Sequence, residues 1–306
     1  MPVDRMCALL DVSVSGFYAW KTRLPCQRQL DDMIVLAHIR AQFATSNQTY
    51  GAPRMFEELR EDGVQAGKHR IARLMRDNGL SALQKRRYKK TTDSNHSSPV
   101  ADNLLEQDFQ CDGPDEKWGV DISYIWTAEG WLYLAIVLDL YSRRIVGPSR
   151  RRCACLPGNG AVSNRLKKNL ALSALRKAIA LRHPPAGLIH HSDRGSQYCS
   201  YDYQRLLKDH HMLPSMSGKG NCYDNAMVET VFKTIKSELI WRTMYQTREA
   251  AEKALGHYID GFYNPRRRHS ALGYKSPITF EANMAKTKRM SLHYIRVSPP
   301  HFLFAK

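Results

Sequence analysis

The segment GLIHHSDRGSQYCS, residues 187–200, joins a short apolar run to a glycine-containing turn, with a carboxylate between them. The apolar run predicts a β-strand, and Asp193 stands at its end. The following stretch, YDYQRLLKDHHM at 201–212, has the apolar spacing of a helix. The sequence therefore predicts a strand, a turn and a helix, with a charged side chain placed where the strand ends.

Two upstream segments are rich in β-branched and aromatic residues, which favours strands. They are KWGVDISYIWT at 117–127 and WLYLAIVLDLYSRRIVG at 131–147, separated by a tight turn. We expect three adjacent strands here, an exposed loop at 148–160, and then a helix that begins near Ser163. Strands followed by alternating helices and strands predict an α/β fold with a mixed sheet and flanking helices.

The N-terminal residues show helical spacing without strand patterns. Pro53 can begin one helix and Gly63 can end it, and KHRIARLMRDNGL at 68–80 forms a second, basic helix. Two helices joined by a short turn form a helix-turn-helix that can read a DNA major groove. The candidate DNA contacts are Lys68, Arg70 and Arg73. An ordinary helical hairpin with a solvated charged face explains this segment equally well.

Composition divides the chain into four predicted parts. They are an all-α helix-turn-helix region at 1–84, a basic polar linker at 85–112, an α/β core at 113–283 and a tail at 284–306. The linker opens with the basic run KRRYKK at 85–90, for which phosphate contact and simple solvation are both open.

Overall charge favours a polyanionic partner. Lys and Arg total 46 against 29 Asp and Glu, which gives a net charge of +17 and nucleic acid as the leading candidate. No apolar run reaches the roughly 18 residues of a membrane-spanning helix, and the N-terminus lacks a signal-peptide pattern, so we expect no membrane partner and a cytoplasmic location. Seven cysteines without a CxxC pair argue against a zinc finger or a disulfide framework.

Three acidic residues stand out by their positions in these elements. Asp121 lies within the first strand, Asp193 ends a later strand, and Glu229 lies in the predicted helix NCYDNAMVETVFKTIKSEL at 221–239. Carboxylate oxygens are the ligands that Mg²⁺ prefers, and two such ions can clamp the attacking and leaving oxygens of a phosphoryl transfer. Each aspartate alone also fits a structural role, so the carboxylates by themselves leave both interpretations open.

Neighbouring polar residues receive other predictions. Lys233 and Lys236 fall on the helical face of Glu229, whereas Asp139 is assigned a structural role. His190 and His191 are expected to shape the site rather than bind metal, because adjacent strand residues point to opposite faces. For the basic run NPRRRHS at 264–270, DNA contact and a solvated surface are both open.

Several segments together resemble the DDE transposase and retroviral integrase superfamily, and most closely the OrfB transposases of the bacterial insertion sequence three family. The matching segments are VDISYI at 120–125, IHHSDRGSQY at 189–198, MSGKGNCYDNAMVETVFKTIKSEL at 216–239, YGAPRMFEELREDG at 50–63 and FYNPRRRHSALGYKSPITFE at 262–281. The 35 residues between Asp193 and Glu229 have the family's signature spacing, and Lys236 is the basic residue seven positions further on.

The resemblance implies an RNase H-like core and a DDE-type polynucleotidyl transferase that cleaves and joins DNA strands at the ends of an insertion sequence. It implies that Asp121, Asp193 and Glu229 are catalytic and hold two Mg²⁺ ions, with Mn²⁺ as a substitute. It also implies that Lys236, with Lys233 beside it, contacts DNA.

The implied partners are double-stranded DNA, both as terminal inverted repeats and as target, the first-frame OrfA product or a fusion with it, and further copies of the chain on DNA. The implied location is the bacterial cytoplasm, at the nucleoid. Two rival hypotheses are an RNase H-like nuclease that cuts without joining and a catalytically inactive DNA-binding relic. The second rests on the insertion at 148–160 and on the tail, which depart from the family pattern.

Overall fold

The computed structural model describes residues 2–83, 101–146, 160–163, 168–218 and 222–297. The chain divides into two compact units, Met1–Ala82 and Leu83–Lys306. The finer boundaries within the second unit stay predictions, and the basic run at 85–90 lies outside the described residues. No helix in the described ranges is long and apolar enough to cross a membrane.

The first unit consists of helices, as predicted. They are α1 (Val3–Leu9), α2 (Val14–Thr22), α3 (Gln27–Thr45), α4 (Ala52–Glu61) and α5 (Lys68–Asp77). Helices α3, α4 and α5 contact one another pairwise. Their shared core includes Ile39 of α3, Leu59 of α4 and Ile71 of α5, all fully buried. Gly63 follows α4 with a φ of +77°, a left-handed conformation that glycine adopts without strain.

The second unit is built on a mixed five-stranded sheet of the order β3-β2-β1-β4-β5. The strands are β1 (Lys117–Thr127), β2 (Gly130–Asp139), β3 (Gly160–Ser163), β4 (Ile189–Ser192) and β5 (Leu213–Met216). Pairing is antiparallel on the β2 side of β1 and parallel on the β4 side. This confirms the predicted α/β class with a mixed sheet.

The third strand is not where the sequence predicted it. Strand β2 ends at Asp139, because that carboxylate accepts hydrogen bonds from the backbone N–H and the hydroxyl of Ser142 and turns the chain there. The strand beside β2 is instead Gly160–Ser163. The helix predicted to begin near Ser163 is described from Lys168 onward, and residues 164–167 lie outside the described residues. Of the loop predicted at 148–160, residues 148–159 lie outside the described residues and Gly160 belongs to β3.

Helices cover the sheet. They are α6 (Lys168–Arg182), α7 (Tyr201–Asp209), α8 (Ala226–Glu238), α9 (Arg248–Tyr258) and α10 (Pro277–Val297). Helix α10 continues through position 284, where the tail was predicted to start. One core cluster joins β1 and β2 to α6 and α7 through fully or almost fully buried side chains such as Trp118, Leu175 and Tyr203. Helix α8 packs against β1.

Neither interpretation of the basic run at 264–270 holds for Arg267 and Arg268. Arg267 is buried and forms a two-pronged ion pair with the buried Glu238 of α8, at Nη2–Oε1 and Nε–Oε2 distances of 2.6 and 2.9 Å. Arg268 is also buried and donates to the backbone carbonyl of Tyr274. The physical reason is that a carboxylate inside the core requires a cation, which this run supplies.

Candidate catalytic site

The first two candidate carboxylates are brought together by strand pairing. Strands β1 and β4 run parallel, with Lys117 opposite Ile189 and Gly119 opposite His191. Continuing that register by two residues places position 121 level with position 193. Asp193 Oδ1 accepts the backbone N–H of Gly195 at 2.9 Å, which fixes the carboxylate at the start of its turn.

The third carboxylate is positioned by the packing of α8. Val228, Val231 and Ile235 are buried and form the apolar face predicted for this helix. Glu229 follows Val228 directly, and Val228 lies against Gly119 of β1. The helix therefore holds Glu229 beside the strand that carries Asp121.

Electrostatics show that these groups share one environment. Burial raises the pKa of Asp121 well above its usual range, and the negative charges of Asp193 and Glu229 raise it further. The backbone N–H of Ile122, which donates to Asp121 Oδ1 at 2.7 Å, and the cation of Lys236 oppose that rise. A cation bound among these three carboxylates would favour the ionised form of Asp121, because a nearby opposite charge lowers the pKa of a carboxyl group.

The donor chemistry at this position fits a divalent metal ion. All three side chains offer hard oxygen ligands, which suit Mg²⁺. Among the described residues, however, no three acidic, His or Cys side chains already surround a single point. Glu229 Oε2 lies 3.7 Å from Lys233 Nζ, so this carboxylate already has a cationic neighbour.

The two predicted lysines of α8 occupy different environments. Lys233 is exposed and pairs with Glu229. Lys236 is half-buried, with Nζ 5.0 Å from the centroid of the Tyr124 ring, and burial lowers its pKa while Asp121 opposes that shift. Lys236 is therefore within electrostatic reach of Asp121, and Lys233 is within reach of Glu229.

His190 and His191 use their ring nitrogens within the protein. His190 Nε2 lies 3.0 Å from the Tyr203 hydroxyl, and His191 lies 2.9 and 3.1 Å from the hydroxyls of Ser215 and Ser217. Burial lowers the pKa of His190 to about 3 and that of His191 to about 4, so both rings are neutral at pH 7. These contacts support the predicted supporting role.

The candidate DNA contacts of the first unit have intramolecular partners. Arg70 and Arg73 each approach Asp32 of α3 at 2.6 Å, and Lys68 Nζ lies 5.1 Å from the Phe56 ring centroid. The two arginines thus tie α5 to α3 while remaining about one-third exposed. Their part in DNA binding stays a prediction.

Sequence reasoning missed Tyr198 at this site. The residue is buried, and its pKa is raised well above the usual range by burial and then by the charges of Asp121 and Asp193. Its phenol therefore lies near both carboxylates. The sequence feature that could have indicated Tyr198 is its position in DRGSQY at 193–198, where it is the aromatic residue that ends the polar turn after Asp193.

The second unit is a mixed five-stranded sheet with packed helices, and this fold is that of an integrase core. Family comparisons agree: the model described as "Integrase core domain" matches residues 112–222, and a second integrase core model matches 210–277. A model described as "HTH-like domain" matches residues 29–88.

Curated relatives identify the family more narrowly. The transposase InsF of insertion sequence IS3A from Escherichia coli K12 is 42% identical over 285 residues, which are 91% of this chain and 93% of that protein. An uncharacterized 31 kDa protein of insertion element IS600 from Shigella sonnei is 42% identical over 275 residues, 90% of this chain and 97% of that protein. The chain belongs to the IS3 family of insertion-sequence transposases.

Solved structures with similar folds are more distant. The HTLV-2 integrase catalytic core domain in complex with magnesium has 17% identity and a TM-score of 0.40, over 56% of this chain and 99% of that one. A chain from the structure of a simian T-cell lymphotropic virus intasome in complex with the PP2A regulatory subunit B56 gamma has 15% identity and a TM-score of 0.43, over 88% of this chain and 78% of that one. The family assignment therefore rests on the curated relatives and not on these structures.

Proposed function

We propose that the protein is a DDE-type polynucleotidyl transferase that cleaves DNA at the ends of its insertion sequence and joins the freed strand to a target. The observation that carries this proposal is the shared environment of Asp121, Asp193 and Glu229, produced by parallel strand pairing and by the packing of α8. We assign these three residues the catalytic and metal-binding roles.

Two Mg²⁺ ions, for which Mn²⁺ can substitute, would supply the Lewis acidity that activates a water or a 3′-hydroxyl and stabilises the leaving oxygen. Asp121 in β1 and Asp193 directly after β4 would offer oxygens to the ions, and Glu229 of α8 would complete the set. Lys236 balances the local negative charge and offers a cation to a DNA phosphate. No covalent protein intermediate is required, because the residues position and neutralise the reacting groups.

The remaining partners follow from charge and family. We propose that Lys68, Arg70 and Arg73 of the first unit, and Lys233 and Lys236 of α8, contact double-stranded DNA in the terminal inverted repeats or the target. Further copies of the chain would assemble on that DNA in the bacterial cytoplasm, at the nucleoid. The first-frame OrfA product, separate or fused, would add DNA contacts.

A strand-transfer assay tests the proposal directly. The purified protein is incubated with Mg²⁺, a labelled duplex that carries the element's end sequence, and a target plasmid. Joined products are expected. Cut but unjoined DNA would instead identify a nuclease, and bound but intact DNA would identify an inactive relic.

A further inference from the structure

An aromatic group covers the tip of the β1–β2 hairpin. Trp126 pairs with Trp131 across the hairpin, with ring centroids 4.8 Å apart, and Tyr124 lies 5.1 Å from the Trp131 ring. Trp126 is 55% exposed and Trp131 is 45% exposed, whereas Trp118 on the same strand is fully buried. We refer to Tyr124, Trp126 and Trp131 as the hairpin aromatic cluster.

The backbone beneath this cluster is firmly held. The Arg248 guanidinium donates to the carbonyls of Glu129 and Trp131, at 2.6 and 3.3 Å. The Ala128 N–H donates to the carbonyl of Tyr245 at 2.9 Å. The exposed rings therefore stand on a preformed support, which lowers the ordering cost of binding a ligand against them.

Cations border the rings. Lys236 Nζ lies over Tyr124 and within electrostatic reach of Asp121, so this lysine connects the cluster with the candidate carboxylates. Arg248 lies beneath the hairpin, and the whole chain carries a net charge of +17. Aromatic faces combined with nearby cations match the two parts of a single-stranded nucleic acid, its bases and its phosphates.

We propose that the hairpin aromatic cluster stacks unpaired nucleobases of the DNA strand next to the active site. Bases inside a duplex already stack on each other, so the cluster selects DNA whose strands are locally separated. The inference rests on the proposed function for its biological setting, because separated strands at an element end would lie beside the carboxylates. The stacking itself is measurable without any cleavage.

The test compares two probes, a labelled single-stranded oligothymidylate and a duplex of the same length, by fluorescence anisotropy with the full chain. Trp126→Ala and Trp131→Ala are each expected to weaken single-strand binding about five-fold or more, the effect of losing one base stack. Duplex affinity should change less than two-fold. Trp126→Phe keeps an aromatic face and should retain most of the affinity.

Trp20→Ala is the matched control, because Trp20 is 70% exposed but belongs to the first unit. Single-strand affinity equal to wild type in both hairpin alanine variants would overturn the proposal. So would a change of oligomeric state on gel filtration with unchanged oligonucleotide binding, which would identify a protein interface. If the wild-type protein fails the strand-transfer assay while the variants still lose single-strand binding, only the proposed function fails.

Discussion

Gly119 of β1 and Val228 of α8 pack so closely that no side chain fits at position 119. A Cβ placed there would lie 2.6 Å from Val228 Cγ2 and 3.0 Å from Leu140 Cδ2. Gly119 comes two residues before Asp121, and Val228 comes directly before Glu229. The absence of a side chain at position 119 therefore lets α8 lie close enough to β1 to bring Glu229 beside the strand of Asp121.

Gly119→Ala should move α8 outward and lower strand cleavage by about ten-fold or more, because small misplacements of reacting groups are costly. Overpacking should also lower the free energy of unfolding by about 1–3 kcal/mol. Cleavage kinetics and urea denaturation measure the two effects. Gly67→Ala is the control, since a Cβ there meets nothing within 4 Å. Equal activity of both variants would show that α8 tolerates displacement.

Asp121→Asn, Asp193→Asn and Glu229→Gln should each abolish Mg²⁺-dependent cleavage, because each removes a charge while keeping side-chain size. Binding to element-end DNA should stay within about two-fold of wild type, measured by gel shift. Asp209→Asn, at an exposed carboxylate of α7, should leave cleavage unchanged. Cleavage at the wild-type rate by any of the three variants would remove that residue from the catalytic set.

Lys236→Ala should weaken DNA binding and reduce the slope of log affinity against log salt concentration by about one phosphate contact. The matched control is Lys253→Ala, which removes an exposed lysine paired with Glu249. Titrations of the same duplex at several salt concentrations provide the slopes. Identical slopes for wild type and Lys236→Ala would restrict this lysine to contacts within the protein.

Arg267→Met should destabilise the protein by about 3–5 kcal/mol, because it leaves the Glu238 carboxylate buried without a cation. The double variant Glu238→Gln with Arg267→Met should recover part of that loss. Urea denaturation followed by circular dichroism measures both. A loss below about 1 kcal/mol for Arg267→Met would mean that Glu238 reaches solvent or another partner.

Acid should destabilise the fold through His190. Its pKa is about 3 in the folded protein against an ordinary 6.5, because burial disfavours the charged ring. Between those values the unfolded chain binds a proton that the folded chain does not, so stability falls as pH drops below about 6.5. At pH 5 the cost is about 2 kcal/mol.

His190→Gln should remove that part of the pH dependence while keeping a polar group near the Tyr203 hydroxyl. Denaturation midpoints measured from pH 7.5 to pH 5 provide the test. His210→Gln, at an exposed position, serves as the control and should follow the wild-type curve. A His190→Gln curve parallel to wild type would show that the buried ring binds its proton as readily in the folded state as in the unfolded chain.

The sequence predicted much of the sheet because its strands carry strong local signals. The segments 117–127 and 189–192 are short, apolar and bounded by turns, so their type and approximate ends follow from composition. Strand β3 was missed because GAVS at 160–163 has a single β-branched residue and follows a segment that contains proline and glycine. Its strand character depends on pairing with β2, which local sequence does not reveal.

The candidate carboxylates were found through strand ends and motif spacing, yet their surroundings depend on tertiary contacts. Nothing in NPRRRHS indicates that Arg267 is internal, because its partner Glu238 lies on a different element. In the same way, the sequence alone predicts a basic surface at Arg70 and Arg73, whereas the structure pairs both side chains with Asp32 of α3. Charged residues therefore gave the least secure predictions.

The register between β1 and β4 determines which in-frame insertions a copy of the gene can tolerate without loss of activity. The register of residues 117–119 with 189–191 places Asp121 level with Asp193, whatever the length of chain that separates them. In-frame length changes in the connection between β2 and β3 leave that match intact. A single codon inserted within 117–121 or 189–193 would turn one carboxylate to the opposite face of the sheet. Copies that acquire in-frame insertions should therefore lose activity mainly when the insertion falls within these two short segments.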